Sequence, residues 1–444
     1  MSHGKWTPEQ YSAITAGTSN LLIAAAAGAG KTAVLVERIT RKITSKENPL
    51  DIDKLLVVTF TKAAASQMRE RIAKAINKLL EEQPESKGLQ RQLTLLGKAS
   101  ITTIHSFCLE VIQSNFQTVD LEPGFKIADE TESVLLKLEA LEELFEQRYE
   151  EENYEESFFK LLDSYGGSRD DRALQEIVLN LYSFIQSHPW PMLWMQDSVN
   201  QLNLAECVDF GTTKYAKILK QSISLELEGY FTQLKDAVEI INRAEGLLPY
   251  NEAFVNDIAS IELLMKNCRE DNTWDELFVA FQSIEFLKLG RCGKDVDKVK
   301  QEQVQDIRNK IKKKLNTLKA DIVYADSEGV IKELVYLYPM FDSLYRLVRD
   351  FDEIYKVKKK KKAMIDFNDL EHYCLKILTA QSEDGEIVPS EAAVAYRNKF
   401  EELYIDEYQD SNEVQEVILK MISRAPVDKP NIFMVGDIKQ SIYR

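Results

Sequence analysis

The chain has 444 residues, 44% of them hydrophobic, and a formal net charge of -16 from 56 Lys+Arg against 72 Asp+Glu. That length suits about two to three domains rather than one core, and the acidity excludes a general nucleic-acid coat, leaving room only for a local basic groove. The five cysteines (Cys108, Cys207, Cys268, Cys292, Cys374) form no C-x-x-C pair, and no apolar leader or bilayer-length stretch occurs, so the expectation is a soluble cytoplasmic protein with reduced thiols, no zinc centre and no membrane contact.

Trp6–Ile14 places a proline at the start of a short amphipathic helix. Its Gln10 carries an amide that can both donate to and accept from an adenine edge, although an exposed helical glutamine alone carries no assignment. The run that follows, LLIAAAAGAGKT over Leu21–Thr32, organises the chain. A buried strand delivers a loop nearly free of side chains (Ala24, Ala25, Ala26, Ala27, Gly28, Ala29, Gly30), whose backbone N–H groups can close around phosphate. Lys31 adds a point charge for the outer phosphates, and Thr32 offers a hydroxyl to Mg2+. The helical AVLVERITRKI aims its N-terminal dipole at the anion. The loop departs from G-x-x-x-x-G-K-[ST] only at Ala25, which is nearly as small as glycine.

LLVVTF reads as a buried strand ending at Phe60, Thr61 and Lys62, followed by a helix. This puts an aromatic ring and a cation at the carboxyl edge of a parallel sheet, where Phe60 can stack on a base and Lys62 can hold a phosphate; Phe60 as a core residue is the alternative. ASITTIHSFCLEVIQ over Ala99–Gln113 repeats the design, with His105 and Ser106 at the turn. From Asp129 to Lys362 strand signals nearly vanish and charged helical patterns follow one another. The basic runs Lys310–Lys314 and Lys358–Lys362 read there as solvated helix faces, with DNA or partner contact the alternative. Ala363–Leu378 reads as one helix. A strand at Leu403–Ile405 ends in Asp406 and Glu407, two carboxylates that are costly at a hydrophobic tip unless a cation is present. Nucleotide-bound Mg2+ answers that need: Asp406 would hold it through water while Glu407 polarises the attacking water. A last strand ends at Gly436-Asp437, with Gln440 just beyond.

In order, the blocks TPEQ, AAAAGAGKT, VVTFTKAAA, TIHSFC, DFNDLE, YIDEYQDSN and VGDIKQSIYR resemble a superfamily-one (UvrD/RecB-like) DNA helicase, and more closely the AddA subunits of bacterial AddAB helicase/nucleases. The resemblance implies an α/β fold: a RecA-like P-loop NTPase domain, a parallel sheet with flanking helices, interrupted by a large mostly α-helical insertion. The corresponding division is 1–128 and 363–444 for the motor domain and 129–362 for the insertion. It implies ATP and Mg2+ as cofactors, with Gln10 reading adenine, Lys31 and Thr32 serving phosphates and metal, Asp406 the metal, Glu407 the water, and Gln440 sensing the γ-phosphate. Phe60, Thr61, Lys62, His105 and Tyr443 would contact single-stranded DNA. Ala33 stands where simpler relatives carry an arginine beside adenine.

The function so implied is 3′-to-5′ translocation on single-stranded DNA coupled to ATP hydrolysis, within a complex that repairs double-strand breaks by homologous recombination. Its partners would be single- and double-stranded DNA and an AddB-type second subunit in a heterodimer. Since the sequence stops at Arg444 inside a motif, it is read as an N-terminal piece lacking the second motor domain, with its arginine fingers, and the exonuclease domain; this piece alone is expected to be nearly inactive. The alternatives are an ATP- and DNA-binding module without turnover and, weakest, a small-molecule kinase.

Overall fold

The computed structural model describes residues 6–444 apart from 18–19, 27, 46, 48, 151–155, 166–170, 425–429, 438 and 440–444. Its strands are β1 (Leu21–Ala24), β2 (Leu55–Thr59), β3 (Ser100–Thr103), β4 (Lys126–Ile127), β5 (Met364–Ile365), β6 (Thr379–Gln381), β7 (Ile387–Pro389), β8 (Glu402–Ile405) and β9 (Ile432–Gly436). Five of them make one sheet in the order β1-β9-β8-β2-β3, every neighbour parallel. The fold is therefore the expected α/β class with a parallel central sheet.

A parallel sheet covered on both faces needs strands apolar on both sides, and β2 is buried at all five of its positions. Successive side chains alternate between faces. Leu55 and Val57 join Leu35 and Ile39 of the Lys31–Ile43 helix and Met68 and Ile72 of the Lys62–Glu82 helix. Leu56 and Val58 join the other core, with Phe107 and Val111 of the Ile104–Asn115 helix, Cys374 and Leu375 of the Phe367–Leu378 helix, and Ile418 and Leu419 of the Glu413–Ile422 helix. The carboxyl ends of β1, β2, β3 and β8 thus carry the loops of the candidate site.

The chain divides into two compact units. One holds the sheet and comprises residues 1–154, 170–194 and 347–444; the other comprises 155–169 and 195–346. The sheet unit is larger than the 1–128 and 363–444 expected from sequence, because three flanking helical segments cohere within it. Tyr182, Phe351 and Tyr355 form an aromatic cluster beneath Lys137, and Lys358 pairs with Glu143 at 2.7 Å. The second unit is helical, built around Trp274, Phe254, Phe281 and Leu227, with a buried Arg308–Asp257 ion pair at 2.5 Å.

A second difference concerns Ala363–Leu378. The helix begins only at Phe367, because Met364 and Ile365 form β5 against Lys126 and Ile127 of β4. Asp366 then caps the helix, accepting from Asp369 N–H at 2.9 Å while the Asp369 carboxylate accepts from Asp366 N–H at 2.8 Å.

Candidate nucleotide and single-strand site

The loop after β1 turns on two glycines in the left-handed region, Gly28 (φ 75°) and Gly30 (φ 78°), where a side chain would be strained. Gly30 is the N-cap of the Lys31–Ile43 helix and provides no side-chain cap, so the first backbone N–H groups of that helix are left to an external acceptor. The loop is braced from both sides. Ala25 N–H donates to the Gly436 carbonyl at 3.1 Å, and Ala29 N–H to the Ala26 carbonyl at 3.1 Å. Gln10 Nε2 donates to the Ala29 carbonyl at 3.0 Å, while its Oε1 accepts from Thr7 N–H at 3.0 Å. Gln10 is thus a strut against the loop, with both ends of its amide bonded to backbone. Thr32 is the second residue of the helix, Ala24 ends β1, and Ala27 lies outside the described residues.

Lys31 Nζ reaches across to Glu407 Oε2 at 3.8 Å. Glu407 itself has left-handed backbone (φ 56°), a conformation that costs a non-glycine residue about 1–3 kcal/mol and aims its carboxylate back over the sheet edge. Gln409 holds it there. The amide nitrogen donates to Glu407 Oε2 at 2.7 Å and the amide oxygen accepts from Asp437 N–H at 2.8 Å, linking the tips of β8 and β9.

Asp406 is buried, and its Oδ1 has no hydrogen-bond partner among the described residues. Burial raises its pKa to about 6, with the adjacent Glu407 carboxylate adding to the shift. A buried orphan carboxylate oxygen beside a second carboxylate fits a divalent cation. Among the described residues no cluster of three or more His, Cys, Asp or Glu could hold a metal alone, so the ion would be shared with phosphate, as is usual for Mg2+.

Phe60 follows β2 and is 45% exposed, so it belongs to the surface and not to the core. Thr61 caps the Lys62–Glu82 helix, its hydroxyl accepting from Ala64 N–H at 3.0 Å, and Lys62 is that helix's first residue. His105 lies in the first turn of the Ile104–Asn115 helix, directly after β3, with Nε2 3.2 Å from Glu371 Oε1 and Phe367 edge-on at 5.8 Å. A cavity of about 430 Å³ brings these parts together: Phe60, His105, Glu371, Asp406, Glu407 and Gln415 all line it. Gln440 and Tyr443 lie outside the described residues.

The two lysine runs differ from each other. Lys310, Lys313 and Lys314 are exposed on the Lys298–Thr317 helix, as a solvated face would be. In the second run Lys359 is buried, its Nζ 3.1 Å from Asp366 and 2.5 Å from Asp369, while Lys360 pairs with Asp120 at 2.5 Å and Lys358 with Glu143. Lys359 thus clamps the start of the Phe367–Leu378 helix, while Lys360, Lys361 and Lys362 are exposed as a solvated face would be. Sequence reasoning also assigned nothing to Gln409, Glu371, Asn412 and Gln415. All four sit in the quoted DFNDLE and YIDEYQDSN blocks or just after them, and that adjacency was the available signal.

Comparison with known proteins follows the same pattern of blocks. The family described as the UvrD/REP helicase N-terminal domain matches residues 6–444. A protein of Acetivibrio thermocellus, named as the A-type chain of an ATP-dependent helicase/nuclease, is 55% identical over 442 residues, covering 99% of this chain and 35% of that protein. The proteins of the same name from Ruminiclostridium cellulolyticum and Clostridium acetobutylicum are 52% and 48% identical, each over 100% of this chain and 36% of its own length. The chain therefore spans about a third of the length of these relatives.

Proposed function

The chain belongs to the UvrD/REP helicase family, and from that premise we propose that it is the ATP-binding motor portion of a DNA helicase acting in a helicase/nuclease complex. The observation that carries this reading is the meeting of Lys31 with Glu407 beside the orphan oxygen of Asp406, at the end of a glycine-hinged loop. In it the loop N–H groups and Lys31 cradle the phosphates of ATP. Thr32 and, through water, Asp406 would hold Mg2+, which when bound neutralises charge on the β- and γ-phosphates. Glu407 orients a water for in-line attack on the γ-phosphorus and takes its proton as the bond to the β-phosphate oxygen breaks. Gln10 is proposed to read adenine in exchange for its amide's bonds to the backbone of Thr7 and Ala29, and Gln440 is proposed to sense the γ-phosphate.

Phe60, Thr61, Lys62, His105 and Tyr443 are proposed to carry single-stranded DNA over the strand tips, by stacking and phosphate contact. Translocation in the 3′-to-5′ sense, exonuclease activity, an AddB-type partner, and a cytoplasmic role in double-strand break repair are proposed for a protein of the relatives' full length. Among the described residues no helix is long and apolar enough to cross a membrane. Calorimetry with Mg-ATP tests the nucleotide site. Lys31→Ala should lose about 1.5–3 kcal/mol of binding, the worth of a charge-assisted contact, and unchanged affinity would overturn the assignment.

A further inference from the structure

Glu371 is a buried carboxylate that no nucleotide or DNA role accounts for. A charge in such a place is costly unless donors surround it; Glu371 draws two from one element and has the His105 ring beside it from another. From the first turn of the Ile104–Asn115 helix, His105 Nε2 stands 3.2 Å from Oε1, an ion-pair distance. From the start of the Glu413–Ile422 helix, Asn412 Nδ2 donates to Oε2 at 2.9 Å and Gln415 Nε2 to Oε1 at 2.7 Å. Asn412 is the N-cap of that helix, its Oδ1 accepting from Gln415 N–H at 2.8 Å, and the short Tyr408–Asp410 turn joins it directly to Asp406 and Glu407.

The element carrying Glu371 is the fixed part. Its first turn is locked by the Asp366–Asp369 capping box and by Lys359 bonded to both carboxylates. On one side of this frame lies His105, with a side chain 40% exposed. On the other lies the turn that leads back to the paired carboxylates. Oε1 accepts from Gln415 and lies 3.2 Å from His105 Nε2, so a ligand that draws the imidazole away changes the electrostatic surroundings of the carboxylate that holds the helix after the Asp406–Glu407 turn.

We propose that Glu371 is a positioning residue that couples occupancy of His105 by single-stranded DNA to the placement of the Asp406–Glu407 turn, and so to nucleotide. This rests on the reading of the site given above. Coupling of this kind is reciprocal: if DNA changes nucleotide affinity by some factor, nucleotide changes DNA affinity by the same factor.

The test measures the dissociation constant of a fluorescent oligothymidylate with and without a saturating, non-hydrolysable Mg-ATP analogue, for the wild type, Glu371→Gln and Gln415→Met. In the wild type the ratio of the two constants should be about fivefold or more. In both variants it should fall to within about twofold of unity, whatever the change in either single-ligand affinity. A purely structural role would lower the melting temperature and both affinities together without moving the ratio. If Glu371→Gln does not fold, Gln415→Met, which removes one donor and leaves the carboxylate, decides. Variants that keep the wild-type ratio, or a wild type that binds both ligands with a ratio of one, overturn the role of Glu371 alone. A wild type that binds neither ligand overturns the parent reading.

Discussion

Lys31 and Glu407 face each other across the mouth of the phosphate loop, 3.8 Å apart. The lysine proposed for the phosphates thus rests against the carboxylate proposed for the water. A γ-phosphate entering between them would take over the ammonium and leave Glu407 to a water. Glu407→Gln should therefore keep Mg-ATP affinity, since it removes charge beside the incoming phosphates, yet lower turnover of the full-length protein by about 10²-fold or more, the share of a positioned base. A coupled phosphate-release assay beside calorimetry checks both halves.

Asp406 gives a pH signature. Its folded pKa of about 6 lies above the ordinary 3.8, so the folded state binds more protons than the unfolded state between those values. Stability without metal should fall as pH rises from 4 to 6, by up to about 2–3 kcal/mol from this group alone. Asp406→Asn should remove that loss. In urea titrations without Mg2+, the variant's advantage over wild type should be small at pH 4 and grow by pH 7.

Phe60 and Lys359 separate DNA contact from scaffold. Phe60→Ala should weaken oligonucleotide binding by about 1–3 kcal/mol, the value of a stacked base, with an unchanged melting temperature. Lys359→Met takes the ammonium from the buried Asp366 and the partly buried Asp369, leaving them their capping N–H bonds without a countercharge, and should cost about 3–5 kcal/mol of stability, with little change in DNA affinity of the molecules that remain folded. Fluorescence anisotropy beside thermal melts would expose an inversion of these roles.

At Gly436 a Cβ would stand 2.7 Å from Gln409 Oε1 and 3.3 Å from Gln409 N. Gly436→Ala should push the Gln409 amide off Asp437 N–H and release its hold on Glu407, costing about 1 kcal/mol or more. Gln409→Ala removes the clash, so the double variant should be less destabilised than the sum of the two. Additive denaturation energies would show that the two positions are not linked.

What the sequence disclosed and what it withheld divide along the same physical line. The phosphate loop is a local device, and LLIAAAAGAGKT carries its strand, hinges, cation and hydroxyl within twelve consecutive letters. β2 and β8 were legible as apolar runs because central parallel strands are buried on both faces. The start of the Phe367 helix was misjudged because β5 exists only through its pairing with Lys126 and Ile127. The burial of Lys359 is not legible within its run, whose last three lysines do face solvent, because its acidic partners Asp366 and Asp369 lie beyond the run, past β5. Gln409 and Glu371 were passed over for a related reason: an amide or a carboxylate in a polar motif shows its role only when its donors are placed around it.

The strand order has a bearing on how the protein is made. Among the described residues, β1 pairs in the sheet with β9 alone, Leu21 opposite Phe433. On the ribosome, Leu21–Ala24 would emerge before residues 432–436 and would wait for them before finding its neighbour. Until then the phosphate loop would have no sheet to anchor it, and an apolar strand would stay open to chaperones or to other nascent chains. The nucleotide pocket would then take shape only once residues 432–436 are made, so that ATP could act on the nascent protein as a stabiliser of the paired sheet and not as an early template.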